Sequence, residues 1–250
     1  MDNSLFRSLV QLGDDCLVLG QRLCEWCGRA PTIEVDLSLS NLALDMIGQA
    51  TLLLDYAGEV EGSGRNADRL AFHRDAEQFR NALLVEQPNG DFAQTIARHF
   101  LYATYAEALF EQLSHSRDDR LAEIAAKAVK ELRYHAEYSA DWIVRLGDGT
   151  ADSRSRMQDG LEWHWRFIDD LFHDDESWID CAERGIVPLR QALRADFEHA
   201  VGAVLAKAGL AMPAKVRGIE GGRGGRHSEH LSMMLAIMQV LPRAHPAATW

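Results

Sequence analysis

Residues 44–50 read L-D-M-I-G-Q-A, and residues 130–136 read K-E-L-R-Y-H-A. Each keeps the frame of a metal-binding helix, in which a glutamate and a histidine three residues apart share one face. In the first stretch Met46 stands at the glutamate position and Gln49 at the histidine position. In the second, Leu132 takes the glutamate position and His135 alone remains. These two stretches decide between a metal enzyme and a helical bundle whose interior is unsuited to iron.

On both sides of these stretches the apolar pattern is helical almost throughout, and strand-like alternation is essentially absent. A first helix is expected from about Ser4 to Cys27, ended by Gly28 and Pro31, with the seam Leu5, Leu9, Leu12, Cys16, Leu19, Leu23, Trp26. A second spans about Ile33 to Val60, with Val35, Leu39, Leu42, Met46, Gln49 and Leu53 inward. A short helix is expected over Asp68 to Phe79, then a turn at Pro88, Asn89 and Gly90. Asp91 caps a third long helix to about Ser114, and Gln94 completes a capping box. Its seam is Phe92, Ile96, His99, Ala103, Ala106, Phe110, Leu113. Ser116 caps a fourth helix to Leu146, with Leu121, Ala125, Ala128, Leu132, His135, Ser139, Trp142 and Leu146 inward.

Four long helices, with one longer crossover between the second and third, predict an all-α, ferritin-like four-helix bundle over about residues 4–147. An extension over about 151–250 adds some three helices, near 153–173, 189–208 and 228–240, and the whole of 1–250 reads as one domain. Trp165, Ile168 and Phe172 form an apolar stripe in the extension, which reads as packing against the bundle, with a partner-facing role as the alternative.

The net charge of −12 argues against nucleic acid, whose phosphates need clustered positive charge. There is no uninterrupted apolar run of about 18 residues, so no membrane span is expected. The start, MDNSLFRSLVQLGDD, lacks the basic and apolar regions of a signal peptide, which leads to a cytoplasmic placement. Cys24-Glu-Trp-Cys27 closes a helical pattern rather than following a strand, so reduced structural thiols are expected more than a redox pair.

Iron needs carboxylates and imidazoles together. The four seams offer only His99 and His135 as ligands, and Met46 and Leu132 set hydrocarbon where charge would sit. His135 reads as a hydrogen-bonded core histidine, with Gln49 as its expected partner. Asp45 and Glu131 are each one residue, about 100°, away from the inward face and read as partners of Arg or Lys at helix–helix or subunit contacts. A shifted seam would instead gather Asp14, Asp45, Glu131 and His135 into a degenerate metal site. The glycine-rich stretch 218–227 has Arg217, Arg223, Arg226 and His227 about it, just before Ser228, a possible helix cap. It reads as a mobile surface loop; a contact with a partner subunit or an anionic ligand such as coenzyme A is the alternative.

Several stretches together carry a resemblance: L-G-D-D-C-L-V-L-G-Q-R-L-C-E-W-C-G, E-V-D-L-S-L-S-N-L-A-L-D-M-I-G-Q-A, L-L-V-E-Q-P-N-G-D-F-A-Q-T-I-A-R, A-K-A-V-K-E-L-R-Y-H-A and G-G-R-G-G-R-H-S-E-H-L. From about residue 11 onward the chain resembles the C-component family of bacterial phenylacetyl-CoA epoxidases, also called phenylacetate-CoA oxygenases. The resemblance implies a non-catalytic, metal-free structural subunit of a phenylacetyl-CoA monooxygenase complex in phenylacetate catabolism. It implies a paralogous A subunit holding the di-iron centre, a small B subunit, and a reductase using NADPH, flavin and an iron–sulfur centre. It also implies association of copies within a heterotetramer. No catalytic residue is carried over. The outer faces of the second and fourth helices, with Leu37, Tyr134 and Tyr138, are expected in the contact with the di-iron partner. Two rival readings remain: a free-standing metal-dependent oxidase or hydrolase, and a coenzyme A-binding module acting through Arg223.

Overall fold

A computed structural model describes residues 2–214 and 217–246. The expected extension to residue 250 therefore lies, for 215–216 and 247–250, outside the described residues. The described residues contain no strand, and the chain is all-α, of the ferritin-like class. The helices are α1 (Asn3–Cys24), α2 (Ile33–Glu61), α3 (Ala67–Phe72), α4 (Leu83–Glu86), α5 (Phe92–Leu113), α6 (Asp119–Gly147), α7 (Ala151–Trp165), α8 (Ile168–Leu171), α9 (Glu176–Glu183), α10 (Arg194–Lys207), α11 (Glu229–Met238) and α12 (Val240–Ala244). Single 3₁₀ turns lie at Ala76–Gln78, Arg190–Leu193 and Gly222–Gly224.

The chain forms two compact units. Unit 1 holds Met1–Gln87, Glu176–Trp178 and Gly221–Trp250; unit 2 holds Pro88–Asp175 and Ile179–Glu220. In unit 1, α1 and α2 run antiparallel at close range, and glycines make that possible. A Cβ at Gly13 would come within 2.7 Å of the Leu54 side chain, and one at Gly20 within 3.2 Å of Met46 Cβ. The expected seams are the buried ones: Leu9, Leu12, Cys16, Leu19 and Leu23 on α1, and Leu39, Leu42, Met46 and Leu53 on α2, are essentially inaccessible. Each large aliphatic side chain so buried contributes roughly 1.5–3 kcal/mol of transfer free energy. Thr32 caps α2 by accepting the Val35 N–H.

In unit 2, α5 and α6 run antiparallel, as the contacts Phe92–Trp142 and His99–His135 require. Gly160 of α7 lets that helix lie on α5; a Cβ there would stand 3.2 Å from Gln94 Cα. The Trp165, Ile168 and Phe172 stripe is buried. Phe172 meets Tyr105 edge-on at 5.3 Å and Phe197 at the same distance, so its role is packing.

Several local expectations are corrected. The first helix stops at Cys24, and Glu25–Arg29 form turns, with Trp26 only half-buried. Asp68–Phe79 is not one helix: α3 ends at Phe72, and the chain then extends before a 3₁₀ turn at Ala76–Gln78. The fourth helix is capped by Asp118, which accepts the Leu121 N–H at 2.9 Å. Ser116 Oγ instead donates to the Ile186 carbonyl. At the start of α5, Asp91 accepts the Gln94 N–H as expected, while the Gln94 side chain lies over Gly90, whose φ is +58°. The extension is more broken than three helices. The expected 153–173 helix is interrupted at Arg166–Phe167, and α9 is an additional helix between the first two expected ones.

Candidate functional site

The four positions compared above with ligand spacing, Met46, Gln49, Leu132 and His135, carry no carboxylate. On α2, Met46 is fully buried and Gln49 nearly so. The Gln49 amide oxygen accepts a weak 3.7 Å hydrogen bond from Cys16 Sγ of α1. On α6, Leu132 and His135 are fully buried, and the His135 ring lies 5.2 Å from that of His99 on α5. Neither nitrogen of His99 has a hydrogen-bond partner. Burial first, then the neighbouring His135 and Arg98, holds the His99 pKa well below that of an ordinary histidine.

Taken helix pair by helix pair, the donors are an amide and a thiol in unit 1 and two imidazoles in unit 2, with no carboxylate on any inward row. That set does not fit a di-iron centre, which needs several anionic oxygens to offset its charge. Arg98 adds an inaccessible cation beside His99, bound to Asn89 Oδ1 at 2.6 Å. Behind it, burial and then Arg98 push the His164 pKa down to about 3, against a weaker opposing pull from Gln94.

Buried carboxylates do exist, on the other face of α1 and in the crossover of unit 1. Asp14 forms a two-pronged pair with Arg74 and also accepts the Arg80 N–H at 2.8 Å. Asp15 takes both arms of Arg223, at 2.9 and 2.7 Å, and the Ala82 N–H at 2.7 Å. Glu86 receives Asn81 at 2.9 Å, His227 Nδ1 at 2.7 Å and the Ser228 N–H at 2.6 Å. Arg22 binds the Glu86 carbonyl and reaches the His230 carbonyl at 3.0 Å. All three carboxylates are 0–1% exposed.

This network relocates several residues singled out in the sequence. Arg223 and His227 do not line an exposed anion loop: their side chains are buried and turned inward onto Asp15 and Glu86. Arg217 and Arg226 are exposed. Asp14 is committed to Arg74 rather than to a metal, and Asp45 and Glu131 are half-buried. Among the described residues no group of three or more His, Cys, Asp or Glu is placed to hold a metal ion. Burial alone would lower the His227 pKa, but the Glu86 carboxylate, the Phe79 carbonyl and Asp14 overcome it and raise it. Cys24 and Cys27 are free and exposed, and partial burial of the Cys24 sulfur, then Cys27 and Glu25, raises the Cys24 thiol pKa. Arg74, Glu86 and Arg223 escape sequence reasoning as a network, although an Asp-Asp pair within the apolar run L-G-D-D-C-L-V-L signals buried acids that require buried cations.

The chain is thus an all-α, ferritin-like protein whose Met46, Gln49, Leu132 and His135 are buried on the inner faces of α2 and α6. The chain belongs to the phenylacetic acid catabolic protein family, whose model matches residues 1–250. It is 49% identical over 248 residues to the C component of the 1,2-phenylacetyl-CoA epoxidase of Escherichia coli (strain K12), a match covering 99% of this chain and 100% of that protein.

Proposed function

We propose that the chain is the metal-free structural subunit of a multicomponent oxygenase that epoxidises the aromatic ring of phenylacetyl-CoA. In this reading it pairs with and stabilises a paralogous di-iron subunit, alongside a small B subunit and an NADPH-dependent flavin/iron–sulfur reductase, in the cytoplasm. One observation carries the reading: full-length similarity to the C component of an epoxidase coincides with inward rows that lack every carboxylate a di-iron centre requires. The network of Asp14, Asp15 and Glu86 supports a rigid supporting body, because satisfied buried ion pairs tie three sequence-distant segments of unit 1 together.

The test is reconstitution. The di-iron subunit, the B subunit and the reductase are assayed for phenylacetyl-CoA-dependent oxygen and NADPH consumption with and without this chain. The expected result is turnover only when the chain is present and none from the chain with reductase alone. Full turnover without the chain, or turnover by the chain alone, contradicts the proposal.

A further inference from the structure

Cys24 and Cys27 take no part in the proposed function, and their placement differs from that of thiols that only fill space. Cys16 and Cys181 are fully buried, as packing cysteines are. Cys24 and Cys27 are both exposed and both unbridged. Core packing therefore does not account for them.

Cys24 is the last residue of α1, and the chain leaves the helix through a run of tight turns. The Trp26 N–H donates to the Leu23 carbonyl at 3.1 Å, the Cys27 N–H to the Cys24 carbonyl at 3.1 Å, and the Arg29 N–H to the Trp26 carbonyl at 2.8 Å. Bonds that reach back three residues wind the chain as a 3₁₀ helix does, and side chains three apart then eclipse. Such a turn brings its end Cα atoms within about 7 Å, and a disulfide spans about 4.4–6.8 Å. The two cysteines thus share one side of the turn at bridging distance. Partial burial, and then Cys27 itself, raise the Cys24 thiol pKa, as two neighbouring thiols would.

The turn is held at both ends. Glu25 pairs with Arg22 at 2.8 Å, and Arg22 binds the Glu86 carbonyl. Gly28, at a φ of +76°, gives its N–H to Asp36 Oδ2 of α2 at 2.7 Å. A metal is the other common use of paired thiols. Structural zinc takes four ligands, and among the described residues no group of three or more His, Cys, Asp or Glu is placed to hold a metal ion.

We infer that Cys24 and Cys27 form a reversible redox pair, closed to an intramolecular disulfide by a hydroperoxide and reopened by a small thiol such as glutathione. With hydrogen peroxide, one thiolate attacks an oxygen, the O–O bond breaks, and a sulfenic acid and hydroxide form. The other thiolate attacks the sulfenic sulfur, makes the S–S bond and expels a second hydroxide. The two protons released by the thiols convert both hydroxides to water, so the pair loses two electrons and the peroxide gains them. Two glutathione thiols reverse the link through a mixed disulfide and leave as glutathione disulfide. Closure pins the turn through which α1 passes the chain to α2. This chemistry is independent of the chain's place in an oxygenase.

The test uses the full chain, reduced, freed of reductant and treated with hydrogen peroxide, then alkylated with N-ethylmaleimide and mapped by peptide mass spectrometry. The expected product is a Cys24–Cys27 link, lighter by two hydrogen atoms, with Cys16 and Cys181 still thiols and both exposed thiols restored by glutathione. In buffers of glutathione and its disulfide, the equilibrium constant for the link is larger in the folded chain than in urea, by about tenfold. Cys24→Ser, changed at an exposed position, forms no internal link, and its Cys27 is trapped by dimedone as the sulfenic acid. Peroxide that leaves both thiols free, takes them to sulfinic acids, or joins two chains instead of two sulfurs of one chain overturns the inference. So does an equilibrium constant no larger in the folded chain than in urea, because the turn then does nothing to bring the pair together.

Discussion

Arg223→Met separates the two meanings of the glycine-rich stretch. The guanidinium is inaccessible and gives two hydrogen bonds to Asp15, at 2.9 and 2.7 Å, with further contacts to the Gln11 and Arg80 carbonyls at 3.3 and 3.1 Å. Methionine fills a similar volume but leaves the Asp15 carboxylate in an apolar interior without its counter-charge. Removing one member of a buried, hydrogen-bonded pair costs about 3–5 kcal/mol. For a chain of this size about 4 kcal/mol corresponds to a fall of roughly 8–16 °C in Tm. Adding Asp15→Asn removes the stranded charge, so D15N/R223M recovers a large part of the loss. Chemical denaturation of wild type, both single variants and the double variant gives the coupling directly. A fall in Tm below about 2 °C for Arg223→Met, or a double variant as unstable as the sum of the singles, refutes the reasoning. Coenzyme A binding by the wild type that vanishes in an equally stable Arg223→Met would restore the anion-loop reading.

Further outcomes follow from the same contacts. His164 has a folded pKa near 3 against about 6.5 when unfolded, so the unfolded chain binds the extra proton and acid destabilises the fold. Between about pH 5.5 and 4 the wild type loses about 1.4 kcal/mol per pH unit more than His164→Gln, measured by urea denaturation; equal slopes would sink this assignment. His227 is shifted the other way, so its pairing with Glu86 stabilises the fold fully below about pH 6.5 and is lost as pH rises through the raised folded value. The advantage of wild type over His227→Gln therefore shrinks as pH rises above about 6.5; an advantage that grows with pH contradicts it. A Cβ at Gly58 would run into the Arg65 carbonyl, where the chain after α2 folds back. Gly58→Ala is expected to lower stability by about 1–3 kcal/mol despite the better helix propensity of alanine, and an unchanged or raised Tm would show that the return loop moves aside.

What periodicity encodes is legible in the sequence. The seams of α1, α2, α5 and α6 repeat at helical spacing, and the buried residues Leu9, Leu12, Cys16, Met46, Leu132 and His135 fall on them. The second buried face of α1 is invisible to that reasoning. Asp14 and Asp15 are covered by residues some 60 to more than 200 positions away, and no local period announces such partners. The glycines of 218–227 suggest an open loop, yet Gly221 and Gly225, with φ of +149° and +83°, turn the chain so that Arg223 enters the interior. At Ser116 a good capping residue loses to Asp118, two positions on, because its hydroxyl is taken by the Ile186 carbonyl. The frame of the candidate metal site is readable for the opposite reason: Met46, Gln49, Leu132 and His135 occupy fixed positions on regular helices.

On the proposed function, those inward rows hold no iron. The chain, purified alone and then with its di-iron partner, is exposed anaerobically to ferrous iron, desalted, and assayed for metal by plasma mass spectrometry alongside native mass. Negligible retained iron is expected in the chain alone, and iron only in proportion to the partner in the complex. Two tightly held irons per chain in the protein purified by itself would contradict it.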